Sequence, residues 1–84
     1  KGAGLLALKI IHGYGASGHG GRLRHAIRRS LRKRLKEGKI RLLVTGEQWA
    51  VTEEAARALL GECPELRRDA DLNHYNEGIT FVLL

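Results

Sequence analysis

The chain has 84 residues, with fifteen Lys/Arg against nine Asp/Glu and a formal net charge of +6 at pH 7. That length allows one small domain with one core, and no apolar run approaches the roughly 20 residues needed to span a bilayer. The single cysteine, Cys63, excludes an internal disulfide framework and fits a reducing compartment, so a soluble, cytoplasmic protein without a membrane partner is expected.

The chain opens on Lys1-Gly2-Ala3-Gly4 and contains no methionine, which reads as a fragment or the ordered core of a longer domain. Leu5 to Ile11, broken only by Lys9, has the continuous apolar character of a buried strand. From Gly20 to Lys36 a helix is predicted, with Leu23, Ile27, Leu31 and Leu35 in one stripe and Ala26 on the same side. Glu37-Gly38 ends it, Gly38 as a left-handed cap. Ile40 to Thr45 is a second strand, and Gly46-Glu47 turns away from it. Thr52 is the expected N-cap of a second helix, with Glu53 and Glu54 where the helix dipole favours acids. Ala55, Ala56, Leu59 and Leu60 form its inner face, and Cys63-Pro64 stops it. Glu65 to Gly78 is polar, with Asn73, Asn76 and Gly78 as turn residues. Ile79 to Leu84 is a last strand, too apolar to lie exposed.

The order strand, helix, strand, helix, strand predicts an α/β two-layer sandwich with a mostly parallel or mixed sheet. Its core is expected to pack Leu23, Ile27 and Leu31 on the sheet beside Leu6, Ile10, Leu43, Val44 and Val82. Trp49 is expected in that core or as a lid.

Between the first strand and the first helix, residues 12–24 read HGYGASGHGGRLR, with five glycines in the nine positions from Gly13 to Gly21. A strand, a glycine-rich turn and a helix N-terminus together suit a phosphate. Glycine allows close approach of backbone, the first helical turn leaves N–H groups unpaired, and arginines add charge-assisted hydrogen bonds. The candidate contacts are His12, Gly13, Gly15, Gly18, Gly20, Gly21, Arg22, Arg24 and Arg28. Charge supports the assignment: residues 1–36 hold ten Lys/Arg and no acid, a charge of +10, whereas residues 37–84 hold five Lys/Arg against nine acids, a charge of −4. Such asymmetry suggests a polyanionic partner, DNA or RNA first.

Competing chemistries fit less well. Gly13-x-Gly15-x-x-Gly18 matches the dinucleotide fingerprint, but Glu37 precedes the next strand and Glu47 lies beyond it, so no acid is placed for the ribose. The Walker pattern fails because His19-Gly20 follows Gly18. Neither an i, i+4 His pair nor a C-x-x-C supports a metal site among His12, His19, His25, His74 and Cys63. Ser17 lacks the G-x-S-x-G elbow. His25 reads as a helix residue facing solvent or phosphate, and His74 as a loop residue. His12 closes the first strand, where β-α proteins place their sites. It either braces the glycine turn and contacts phosphate, or acts as a general acid or base. With no visible carboxylate partner, bracing and contact are favoured.

Ile10-Ile11-His12-Gly13-Tyr14-Gly15, followed by Gly20-Gly21-Arg22-Leu23-Arg24, resembles the His-Gly-x-Gly…Leu-Arg signature of the Smr (small MutS-related) domain. Asn76-Glu77-Gly78-Ile79-Thr80-Phe81-Val82-Leu83-Leu84 is similar to that domain's closing Gly-x-Thr-x-Val strand. The turn is longer here than the family's compact form, through Ala16 to Gly20, and residues 47–72 exceed the usual connection. The resemblance implies that residues 1–84 are a single Smr-like domain lacking its N-terminal strand and helix. It also implies a nucleic-acid-binding module, with DNA-binding and endonuclease activity as family properties. The family's acidic Asp-x-His-Gly or Asp-x-Arg-Gly motif has no match in this sequence. Two functions follow as expectations: binding of DNA or RNA through phosphates, or nicking with His12 catalytic and a carboxylate supplied from elsewhere. No cofactor is expected for binding, and a divalent metal enters only if the chain cuts.

Overall fold

The computed structural model describes residues 6–13 and 21–84. Along them run β1 (Ala7–Ile11), α1 (Arg22–Lys36), β2 (Leu42–Thr45), α2 (Glu54–Glu62) and β3 (Ile79–Leu83), with short 3₁₀ turns at Gly46–Gln48 and Pro64–Arg68. The expected alternation of strand and helix holds. Gly38 lies at φ 78°, the left-handed position expected after α1. α2 ends at Glu62, and Cys63, pushed off the helical region by Pro64, sits at φ −133°, ψ 77°. The cap at its other end is Glu53, without a side-chain cap bond, and not Thr52. No helix among the described residues is long and apolar enough to cross a membrane.

The sheet departs from the parallel or mixed arrangement expected. Its order is β1-β3-β2, and β3 is antiparallel to both neighbours. Leu8 and Leu43 stand opposite Val82, and Ile10 and Thr45 opposite Thr80. The cause lies in the polar stretch after α2. Asn73 N–H donates to Trp49 O (2.8 Å) and Gly78 O receives His12 N–H (3.0 Å), so this stretch carries the chain back to the end where β1 and β2 finish. β3 therefore starts at that end and runs against them. Gly46 permits the close crossing: a Cβ there would run into the Asn76 carbonyl and meet Ile79 Cγ1 at 2.9 Å.

All five residues of β3 are buried, as its composition requires. Alternation sends Ile79, Phe81 and Leu83 to one face, where they cluster with Val44, Trp49, Ala56, Leu59, Leu60 and Cys63. Thr80 and Val82 point to the other face, and Arg28 of α1 bonds to Thr80 there. The helices thus cover opposite faces, giving three layers in place of the two expected. Trp49 is a core residue: its ring lies 4.4 Å from that of Phe81, and its Nε1–H donates to Asp69 at 3.0 Å.

The α1 stripe is also displaced from the predicted one. Ile27 and Leu31 are half-buried, but Leu23 is 59% exposed and the only fully buried residue of the helix is Arg28. At about 100° per residue, Leu23 lies about 140° round the helix from Arg28. The bonds that seat Arg28 on the sheet turn Leu23 off it; Leu35 and Ala26 are exposed as well. Of the other expected core residues, Val44 and Val82 are buried and Ile10 and Leu43 half-buried, whereas Leu6 is exposed. Leu6 precedes an edge strand that has a described neighbour on one side only.

Candidate nucleic-acid interface

At the end of β1 the backbone N–H groups of His12 and Gly13 both donate to Gly78 O, each at 3.0 Å. The His12 ring is held on both sides. Its Nδ1 lies 2.8 Å from Gly13 O and its Nε2 lies 2.9 Å from Thr80 Oγ1. A carbonyl only accepts, so the network assigns the proton to Nδ1 and leaves Nε2 to accept from the Thr80 hydroxyl. The same Thr80 oxygen receives Arg28 Nε–H at 2.9 Å. From Arg28 through Thr80 and His12 to Gly13, each donor of this relay has an acceptor. The His12 ring is thus held between the end of β1 and β3.

Arg28 is 6% exposed, and all three nitrogens of its guanidinium find partners within the domain. Nη1 and Nη2 grip the Glu47 carboxylate at 3.0 and 2.9 Å, a two-pronged charge-assisted pair. Nη2 also donates to Ile79 O (2.9 Å) and Glu77 O (3.2 Å). Arg28, expected to contact phosphate from its place near the glycines, has its guanidinium turned into the domain instead. It fills donor sites that the sheet and the turn after β2 supply. Burial pushes the Glu47 carboxyl up, but the Arg28 hydrogen bonds and charge outweigh this and hold it below the usual carboxylate range. Arg24 is partly withdrawn too, since Nη1 donates to Glu77 Oε1 at 2.8 Å.

Arg34 donates back to Ser30 of its own helix, and the other cations of α1 face outward. Arg22, His25, Arg29, Arg32, Lys33 and Lys36 are all exposed. At about 100° per residue they fall within an arc of about 100°, on the side of the helix away from Ile27 and Leu31. No acidic residue interrupts this stripe, and Arg22 stands in the first turn behind the N-cap Gly21. Gly13 and Gly21, on either side of residues 14–20, both adopt φ 77°, a conformation that favours glycine. The expected contacts Gly15, Gly18 and Gly20, with Ser17 and His19, lie outside the described residues.

Sequence reasoning missed the parts played by Thr80 and Glu47. A lone hydroxyl inside an otherwise apolar strand was the available sign of Thr80's role. Glu47 carried no comparable sign, because its pairing with Arg28 depends on the path of the turn after β2.

On the opposite face Lys9 ties β1 to the long loop, with Nζ 2.8 Å from Asp69 and 2.7 Å from Asp71. Burial pulls this ammonium down, yet its bonds to the two aspartates outweigh that and keep it above the usual lysine value. The Lys9 bond, then that from Asn76, holds the Asp71 carboxyl below its usual range. Comparison with protein-family models, with curated proteins and with solved structures finds no match for the chain.

Proposed function

We propose that this chain is a nucleic-acid-binding domain of the Smr type, gripping the phosphate backbone with the outer face of α1 and the glycine-rich segment before it. One observation carries the reading: Arg22, His25, Arg29, Arg32, Lys33 and Lys36 form an exposed, acid-free stripe along a helix of 15 residues. The stripe is about 21 Å long at 1.5 Å per residue, a track for several phosphates rather than a pocket for one. Contacts of this kind position a strand without reading bases. Arg24 and Arg28 drop out of the binding set, since Glu77 and Glu47 neutralise them.

Binding is favoured over nicking because both His12 ring nitrogens are engaged by Gly13 and Thr80. The decisive experiment is a salt-dependent titration with duplex DNA, single-stranded DNA and structured RNA, run with a nicking assay on the same samples. Replacing Arg22, Arg29 and Lys33 by Ala together should weaken binding to all sequences. The slope of log affinity against log salt should fall by roughly 2–3. Unchanged affinity in that variant would overturn the proposal.

A further inference from the structure

The loop that returns the chain to β3 holds Tyr75 in an unusual way. Asn73 and Tyr75 lie at φ 70° and φ 55°. Asparagine tolerates that region, but a bulky aromatic seldom enters it. Burial of the ring does not compensate, because Tyr75 is 58% exposed. Strained backbone of this kind concentrates where a side chain must be presented.

Tyr75 lines an open hollow of about 620 Å³ with Asp71, His74, Asn76 and Glu77. The hollow offers a phenol and an imidazole for stacking, and carboxylates and an amide for hydrogen bonding. It has no Lys or Arg in its lining. Its carboxylates already pair outward, Asp71 with Lys9 and Glu77 with Arg24. A phosphate would be repelled there, whereas a nucleobase finds a flat partner and acceptors for its N–H groups. The hollow also adjoins the first turn of α1, where the proposed phosphate track begins. Glu77 is both part of its lining and the partner of Arg24 in the first turn of α1, and the next carbonyl, Gly78 O, receives His12 and Gly13.

We infer that Tyr75, with His74 beside it, is a stacking platform for an unpaired base of the strand whose phosphates follow α1. The inference rests on the nucleic-acid-binding reading and narrows its ligand to single-stranded or unpaired nucleotides. A base locked in a duplex cannot lie flat on Tyr75 without leaving its stack, so duplex binding draws on the α1 stripe alone.

The test compares labelled oligothymidine, an abasic strand of equal length and a duplex, each titrated against the wild-type chain, Tyr75→Ala, Tyr75→Asn and Tyr75→Phe. Asn suits the positive φ, so this variant decides the matter if Tyr75→Ala folds poorly. Loss of stacking should weaken oligothymidine binding by roughly 5- to 150-fold in the Ala and Asn variants. The salt slope should not change, Tyr75→Phe should bind like wild type, and duplex and abasic affinities should hardly move. Equal weakening for oligothymidine and duplex would assign Tyr75 to shaping the loop and overturn stacking. Unchanged oligothymidine affinity in both variants, with loss in the α1 triple variant, would overturn stacking and leave the binding function standing. Absence of wild-type binding to every strand would overturn both.

Discussion

Thr80 donates its hydroxyl proton to His12 Nε2 across 2.9 Å, and through that bond the central strand reaches the end of β1. The oxygen that gives the proton also receives Arg28, whose guanidinium grips Glu47. Four elements far apart in sequence are thus joined by one hydroxyl: β1, α1, the turn after β2, and β3. The carboxylate that His12 lacks as a direct partner is present, but two side chains removed.

Thr80→Val keeps the shape of this side chain and removes its hydroxyl. Arg28 Nε and His12 Nε2 would then each lose a partner in a poorly hydrated place, at a cost of about 1–3 kcal/mol. Urea unfolding should show a lower midpoint with an unchanged slope. Imidazole ¹⁵N shifts should show His12 mainly as the Nδ1–H form in the wild type, with more exchange between tautomers in Thr80→Val. Thr80→Ser should restore both readouts. A wild-type His12 protonated on Nε2 would refute the assignment.

Arg28 and Arg29 are neighbours with opposite expected phenotypes. Arg29→Ala should change stability by no more than about 0.5 kcal/mol, as for most surface substitutions, and should weaken nucleic-acid binding. Glu47→Gln strips a charged partner from the buried Arg28 guanidinium and should cost about 1–3 kcal/mol. The lower end applies if water reaches the site, since the Glu47 side chain is 42% exposed. Its binding affinity, measured below the unfolding transition, should stay within a few-fold of wild type. The idea fails if Arg29→Ala unfolds the chain or Glu47→Gln is silent.

Acid should destabilise the fold through Glu47 and Asp71, whose carboxyls are held below their usual range by Arg28 and by Lys9 and Asn76 respectively. A group depressed in the folded state takes up its proton more readily when unfolded. Its contribution is therefore full above the ordinary carboxylate value of about pH 4 and is lost as pH falls through the lower folded value. Lys9 has the opposite sign: being raised, it contributes fully below the ordinary lysine value of about 10.4 and loses that contribution as pH rises through its folded value. Lys9→Met should therefore flatten both the acid and the alkaline limb of stability against pH. Limbs as steep as wild type in urea midpoints across pH 2–11 would contradict the pairing.

His12→Ala separates bracing from catalysis. As a brace, its loss should weaken binding, and any nicking should fall only as far as occupancy falls. As a general acid or base, its loss should lower nicking at saturating protein by roughly 10²–10⁴-fold with binding nearly kept. The engaged ring nitrogens favour the first outcome. Metal-dependent nicking by the wild-type chain, abolished in His12→Ala at full occupancy, would reverse it.

The order of the elements was legible in the sequence because its causes are local. Gly38 and Pro64 act on their own backbone and that of the preceding residue, and the apolar content of Ile79–Leu83 demands burial wherever the strand lies. The basic character of α1 was equally plain, since no acid falls within it. Strand direction was not legible, because it depends on which end of the sheet the loop before β3 reaches, and that is set by contacts such as Asn73 to Trp49 and His12 to Gly78. Nor were the partners that hold Arg24 and Arg28 against the domain. Arg24 and Arg28 find Glu77 and Glu47 53 and 19 residues away in sequence. Helical spacing tells which side chains share a face, but only the surface beneath the helix decides which face turns inward. Here Thr80, the Ile79 and Glu77 carbonyls and the Glu47 carboxylate hold Arg28 inward, and with Arg28 inward the helical rotation of about 100° per residue carries Leu23 outward.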